Sequence, residues 1–188
     1  MTAPIDPWTA PTSPGAAALA ASLGALIPQI ETERLTLRAS QRGDFSVWCK
    51  IFCTDRAVHM DGPSSAEDAW FDFCLNTANW LLRGHGMWTV EDRGQRVLGF
   101  VMIGFEPGDH EPELGYMFLE PAEGQGYATE AATAARDHAL TRLRLPSLVS
   151  YIAPANARSR AVARRLGATP DGHIDGCEIW RHAPKGMP

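Results

Sequence analysis

The sequence predicts an α+β fold: one central mixed sheet of six or seven strands with helices on both faces. Three observations predict it. Glu33–Arg38 alternates polar and apolar residues, and three further strand-length runs separated by turns and loops follow up to residue 119. From residue 120 onward the pattern changes to strand–helix–strand–helix, with apolar residues at helical spacing. A chain of 188 residues that is 45% apolar supplies one sizeable core, within the range of roughly 100–200 residues per domain.

Residues 1–28 form an arm outside that domain. Four prolines in 1–14 give an extended start, and the apolar run 16–27 suits a short helix. The arm is expected to pack on its own domain or on a neighbouring copy, which makes a homodimer one expected assembly. The domain spans 29–183, and 184–188 is a C-terminal tail. Glu33–Arg38 alternates as a strand with Leu35 and Leu37 inward. Asp44 is placed to cap a helix running to about Cys53. Ser64-Ser-Ala-Glu67 reads as a capping box for a helix to about Arg83, carrying Trp70, Phe73, Cys74 and Leu81 along one side. Strands follow at Met87–Glu91, Arg96–Phe105 and Glu113–Leu119. A helix with an alanine-rich stripe covers 128–143 and stops before Pro146. Leu148–Ile152 is a strand, Asn156 caps a helix ending at Gly167, and 170–182 closes the sheet with one or two short strands.

Charge and cysteine usage narrow the function. The net charge of −5 argues against a simple coat for nucleic acid or anionic membrane, and neither is expected as a partner. Residues 1–121 carry 8 basic and 16 acidic residues, whereas 122–188 carry 9 and 6. The second part can therefore hold an anion that the first repels. Cys49, Cys53, Cys74 and Cys177 make no disulfide framework and read as reduced, buried thiols; Cys49 and Cys53 alone form only half a metal site, so no metal is expected. No Lys or Arg precedes Arg34 and no apolar run reaches the ~18 residues of a membrane span. A cytoplasmic location is the resulting expectation. His59, His85, His110 and His138 are scattered without a partnering Ser or Cys motif, so no hydrolase triad is legible.

The stretch Glu113-Leu-Gly-Tyr-Met-Phe-Leu-Glu-Pro-Ala-Glu-Gly-Gln-Gly-Tyr-Ala-Thr-Glu130 carries the chemistry. A strand enters a turn containing Gly124 and Gly126 and passes directly into a helix, whose first-turn N–H groups point outward at a ligand. The geometry suits a diphosphate, yet it lacks the Lys-Ser/Thr of a P-loop and the third glycine of the dinucleotide fingerprint. Glu123-Gly-Gln-Gly-Tyr-Ala128 resembles the cofactor loop Gln/Arg-x-x-Gly-x-Gly/Ala of the GNAT superfamily of acyl-CoA N-acyltransferases, with Glu123 in place of the usual Arg or Gln. Glu31-Thr-Glu-Arg-Leu-Thr-Leu-Arg38, Glu113-Leu-Gly-Tyr116 and Asn156-Ala-Arg-Ser159 followed by Arg165-Leu-Gly167 resemble, in order, three further motifs of its branch that acetylates ribosomal-protein N-termini.

The resemblance implies acetyl-CoA as cosubstrate and a splayed pair of strands that admits its pantetheine arm, with Gly115 permitting a bulge and the backbone of Phe118 and Leu119 pairing with pantetheine. The diphosphate would lie at the amides of Gln125, Gly126, Tyr127, Ala128 and Thr129. Asn156 and Ser159 would lie near pantetheine and the sulfur. By residue chemistry alone, Ser159 on the inward face either bonds its own preceding turn or meets a ligand. One or two of Arg158, Arg160, Arg164 and Arg165 would hold the ribose phosphate. A backbone N–H facing the thioester carbonyl is worth about 3 kcal/mol in comparable sites. Val58–Ser64 would wall the acceptor pocket. Glu113, a carboxylate among apolar neighbours, is the expected general base, with Glu111 next in line. The expected activity is acetyl transfer from acetyl-CoA to a primary amine, either a peptide N-terminus or a small molecule, in a direct ternary complex. The alternative is an acyl-CoA-binding protein without catalysis.

Overall fold

Leu35 and Leu37 are fully buried, as the alternation around them requires, and they belong to the second of eight strands. The computed structural model describes residues 6–183. Among these, β1 (Ile30–Glu31), β2 (Leu35–Ala39), β3 (Met87–Asp92), β4 (Val97–Gly104), β5 (Glu113–Phe118), β6 (Val149–Ile152), β7 (Thr169–Ile174) and β8 (Cys177–Arg181) form one sheet. Its order is β1-β2-β3-β4-β5-β6-β8-β7. Every neighbouring pair is antiparallel except β5–β6, which is parallel. The count exceeds the expected six or seven: Ile30 pairs with Leu37 and Glu31 with Thr36, making a two-residue strand too short to show a period.

Helices cover both faces. On one, α2 (Phe45–Phe52) and α3 (Ala66–Arg83) pack Trp48, Ile51 and Phe73 against Met87, Phe100 and Met102. On the other, α4 (Tyr127–Asp137) and α5 (Ala157–Arg165) pack Ala131, Ala132, Ala135 and Val162 against Val101, Ile103 and Leu114. Small side chains along α4 let that helix sit close to the sheet. The helix ends before the expected residue 143: at His138–Arg142 it widens into a π turn, closed by Leu143 N–H to His138 carbonyl. The Thr141 hydroxyl donates to the Asp137 carbonyl (2.6 Å), and a side chain bonding into the ladder favours such a change of pitch.

Local expectations about α2 and α3 need correction. Asp44 does not cap α2 with its side chain. Its carboxylate accepts both terminal nitrogens of Arg38 (2.7 and 2.9 Å), the Thr89 hydroxyl (2.8 Å) and the Gln41 N–H (2.8 Å). A charged guanidinium outcompetes neutral amides for the carboxylate. The cap of α3 is Ser65, one residue later than expected, accepting from Asp68 N–H at 3.1 Å. Its buried face is Ala69, Phe73, Asn76 and Trp80, whereas Cys74 is exposed and Leu81 is 75% exposed. Both sides of α3 are apolar, so spacing alone could not choose between them. Of the four thiols, Cys49, Cys53 and Cys177 are half-buried, and all four are free.

The described part of the arm lies against its own domain. Trp8 packs on Phe45 and Trp70, with ring centroids 5.1 and 6.0 Å away. α1 (Pro14–Gly24) has no buried residue, and beyond it the Pro28 carbonyl accepts the Trp88 indole N–H at 2.7 Å. The tail 184–188 falls outside the described residues, as do the first five positions of the arm.

Candidate active site

The parallel pair β5–β6 holds for a single register position, Glu113 with Val149, next to a bond from Val149 N–H to the Pro112 carbonyl (3.0 Å). In a regular parallel ladder the next rung would join Tyr151 N–H to the Leu114 carbonyl. Side chains occupy both partners instead. Tyr151 N–H donates to Glu113 Oε1 (3.2 Å), and the Ser150 hydroxyl donates to the Leu114 carbonyl (2.7 Å). His182 Nε2 stands 3.0 Å from that hydroxyl. Burial pushes His182 down to about 4, so the imidazole is neutral at pH 7.

Beyond this point the strands part. Across the sheet, β4 and β5 stay in unbroken register from Gly99–Phe118 to Gly104–Glu113, so Gly115 makes no bulge. Its lack of a side chain serves packing, since a Cβ there would lie 3.0 Å from Met102 Cγ. Alternation along β5 turns the backbone groups of Tyr116 and Phe118 toward the gap. Leu119 N–H donates to the Leu98 carbonyl (2.9 Å), on the β4 side. Of the two residues expected to offer backbone to pantetheine, Phe118 therefore faces the gap and Leu119 faces away. The Phe118 carbonyl accepts from Arg56 (2.6 Å).

Glu113 is part-buried at the base of the gap. Burial pushes its carboxyl up to about 8, opposed by the Tyr151 N–H and reinforced by Asp109 and Glu106. The same space collects further acids: Glu106 is itself raised by burial, then by Asp109, Asp72 and Asp61. Of the segment 58–64, Asp61 lies close enough for its charge to act on Glu106. Glu111, the second candidate base, is of another kind. Arg181 holds both its oxygens at 2.7 Å and brings it down to about 2, which leaves a weak base.

The glycine turn leads from β5 into α4. Gly124 and Gly126 have φ of 72° and 82°, the left-handed region where a side chain is strained. The first intrahelical bond runs from Glu130 N–H to the Gly126 carbonyl. That leaves the amides of Tyr127, Ala128 and Thr129 as open first-turn donors. A clasp from the β1–β2 connection fixes the turn. Arg34 donates from Nη1 to the Gln125 carbonyl (2.9 Å), and from Nε and its backbone N–H to the Glu130 carboxylate (2.7 and 2.9 Å). Its guanidinium also lies over the Tyr127 ring, 4.7 Å from the centroid. Thr32 adds a 2.6 Å bond to Glu130. An open cleft of about 530 Å³ adjoins the turn, lined by Arg34, Gly126, Thr129, Glu130 and Arg165 among others.

Asn156 caps α5 by accepting Ser159 N–H at 3.1 Å. The Ser159 hydroxyl meets the phenol of Tyr116 at 2.9 Å, a partner that neither sequence-level alternative named. The arginines of α5 spread out. Arg158 pairs with Glu123 (2.6 Å), Arg160 with Glu178 (3.5 Å), and Arg164 lies over Trp180. Arg165 donates to Thr129 (3.1 Å) and is the one that lines the cleft by Gly126. Glu123 also pairs with Arg56, so the residue that departs from the cofactor-loop pattern ties that loop to two other segments.

Sequence reasoning missed Arg34, Glu130, Ser150 and Tyr151, and left Tyr116 without an assigned role. Arg34 and Glu130 stood inside quoted motifs, but their pairing spans 96 residues and has no local signature. Among the described residues no group of three or more His, Cys, Asp or Glu is arranged to hold a metal ion, and no helix is long and apolar enough to cross a membrane.

A gapped parallel pair, followed by a glycine turn at a helix N-terminus, is joined by a direct comparison. A family model described as an acetyltransferase (GNAT) domain matches residues 34–169. The chain belongs to the GNAT acetyltransferase family. An acetyltransferase from Agrobacterium tumefaciens is 38% identical with a TM-score of 0.80, covering 84% of this chain and 95% of its own. The Bacillus subtilis protein YkkB is 35% identical over 149 residues, 74% of this chain and 84% of its own. RimL, a ribosomal L7/L12 α-N-protein acetyltransferase solved in complex with coenzyme A, is 21% identical with a TM-score of 0.69, covering 85% of this chain and all of its own. At that identity RimL shares the fold.

Proposed function

We propose that this GNAT protein transfers the acetyl group of acetyl-CoA to a primary amine, a peptide N-terminus or a small molecule, by direct attack in a ternary complex. The observation that carries this reading is the placement of Glu113. Its carboxyl sits where the β5–β6 ladder stops and is tuned to about 8, close to the working range of a general base. The residues present fit acetyl-CoA: open amides at Tyr127–Thr129 and Gln125–Gly126 for the diphosphate, and edge-facing backbone at Phe118 for pantetheine.

Acetyl-CoA supplies the activated acyl carbon. The chain supplies the rest. Ionised Glu113 takes a proton from the incoming ammonium, directly or through water, and frees the nitrogen lone pair. Backbone N–H groups on the open edge of β5 face the side where negative charge develops on the carbonyl oxygen. Ser159, held by the Asn156 cap, donates a hydrogen bond to the departing thiolate, which takes up the second amine proton, directly or through water, as the tetrahedral intermediate collapses. The acids Asp61, Asp109 and Glu106 around Glu113 favour a cationic acceptor. The absence of a cysteine from residues 113–167 supports direct transfer over an acetyl-enzyme. We place the protein in the cytoplasm and treat the fold from Gln29 onward as the catalytic unit.

The test is release of CoA thiol across a panel of amines, amino acids and N-terminal peptides. Acceptor-dependent release is expected. Acetyl-CoA binding without release on any acceptor would leave the non-catalytic binding protein as the correct reading.

A further inference from the structure

We propose that Tyr116 is a positioning residue that aims the hydroxyl hydrogen of Ser159 into the gap between β5 and β6. The inference rests on the reading that Ser159 serves the leaving thiolate. The Tyr116 oxygen lies 2.9 Å from two atoms of Ser159, the backbone carbonyl oxygen and Oγ. A phenol has one hydrogen to donate and a carbonyl can only accept, so two arrangements exist. In one, Tyr116 donates to the carbonyl and the Ser159 hydroxyl donates back to the phenol oxygen. Ser159 then has no hydrogen left for a ligand. In the other, Tyr116 donates to Oγ, and the Ser159 hydrogen turns toward the cleft.

Exchange between the two is cheap. Ser159 lies within α5, so its carbonyl keeps the regular i to i+4 helix bond when Tyr116 turns away. Burial pushes the phenol up to about 12, so Tyr116 remains a donor throughout the working pH range. Asn156 holds the Ser159 N–H from the other side, which fixes the position of Cα and leaves only the hydroxyl to rotate. A developing thiolate selects the second arrangement, because only there does it receive a hydrogen bond. Tyr116 gives up no proton in this step; it passes direction, not charge.

The experiment is a double-mutant cycle on steady-state kinetics with a saturating amine. Tyr116→Phe keeps the ring against its apolar neighbours, and acetyl-CoA affinity measured on the same variant confirms a formed site. Ser159→Ala is expected to lower kcat more than it raises KM for acetyl-CoA, because a leaving-group contact strengthens as the bond breaks. Tyr116→Phe is expected to lower kcat by about tenfold, the scale of one hydrogen bond of ~1.5 kcal/mol, with KM for acetyl-CoA within about twofold. The double variant should be no slower than Ser159→Ala alone, since Tyr116 acts through that hydroxyl. Multiplying effects in the double variant, or full kcat in Tyr116→Phe beside a slow Ser159→Ala, overturns the role of Tyr116 and leaves Ser159 standing. Full kcat in Ser159→Ala removes the reading of Ser159 itself, and the inference with it.

Discussion

Tyr151 donates its backbone N–H to the carboxylate of Glu113 at 3.2 Å, at the rung where a parallel ladder would have used the Leu114 carbonyl. This bond, with that of the Ser150 hydroxyl to the Leu114 carbonyl, takes up both partners of the rung and holds the proposed base at the end of the opening. Replacing Glu113 with Gln preserves an acceptor for Tyr151. The variant should keep its acetyl-CoA affinity while kcat falls by roughly 10²–10⁴-fold, the usual contribution of a general base. Part of the loss should return at high pH, where the free amine needs no base. In the unaltered protein, kcat/KM should rise with pH and level off above about 8. A Gln variant with full activity at neutral pH would remove Glu113 from the mechanism.

The same carboxyl has an opposite effect on stability. Its folded value, about 8, lies above the ordinary carboxylate range of the unfolded chain. Between those values the folded state binds the proton more tightly, so the Glu113 contribution weakens as pH rises and is lowest above about 8. Glu113→Gln should therefore raise the melting temperature at pH 8.5 relative to the parent (~8.5 being above the folded value). The gap should close near pH 4.5, roughly where the unfolded carboxyl also protonates. Melts at the two pH values check this, and an equal gap at both overturns it.

Gly126 tests the turn. A Cβ there would stand 3.4 Å from Arg34 Nη2, on a backbone whose φ of 82° already disfavours side chains. Gly126→Val should abolish measurable acetyl-CoA binding by calorimetry in a protein that still melts cooperatively. Retained affinity in such a folded variant would move the diphosphate elsewhere.

Arg34 should matter to the cosubstrate without touching the reacting atoms. Its side chain is 44% exposed, so its ion pair with Glu130 is worth little alone. Its bond to the Gln125 carbonyl and its stacking on Tyr127 hold the turn in shape. Arg34→Ala should raise KM for acetyl-CoA by about three- to tenfold, equivalent to ~0.7–1.4 kcal/mol, and leave kcat at saturation near the parent value. Arg34→Lys should recover little, because a lysine cannot fork between two acceptors. Initial rates against acetyl-CoA concentration separate these outcomes.

Much of this was legible in the chain itself. The stripe Ala128–Leu143 and the face of Val162, Ala163 and Leu166 repeat at helical spacing, and Glu113–Leu119 is a strand-length run between a Pro/Gly/His loop and a glycine turn, so the elements around the cleft follow from local rules. The sequence places Glu113 among apolar neighbours on its strand; that the acids Asp109 and Glu106 act on it is visible only in the structure. What escaped was pairing between distant segments. Nothing near Asp44 announces that Arg38 and Thr89 will take its carboxylate, and the outward apolar residues of α3 disguise which side faces the core. Glycine 115 suggested a bulge because a small residue in a strand fits either a bulge or a close neighbour, and Met102 decided for the latter.

Where the gap between β5 and β6 begins, side chains occupy both partners of the missing rung. No residue is inserted in β5, and its register with β4 is continuous. The rung at which the opening begins therefore depends on two side chains, Glu113 and Ser150. An apolar residue at 113 leaves Tyr151 N–H without its acceptor, and an alanine at 150 frees the Leu114 carbonyl, so the two changes together restore both partners of the missing rung. A double variant of that kind would zip the sheet further along and narrow the entrance, turning an acetyltransferase scaffold into a closed one while its core residues stay the same.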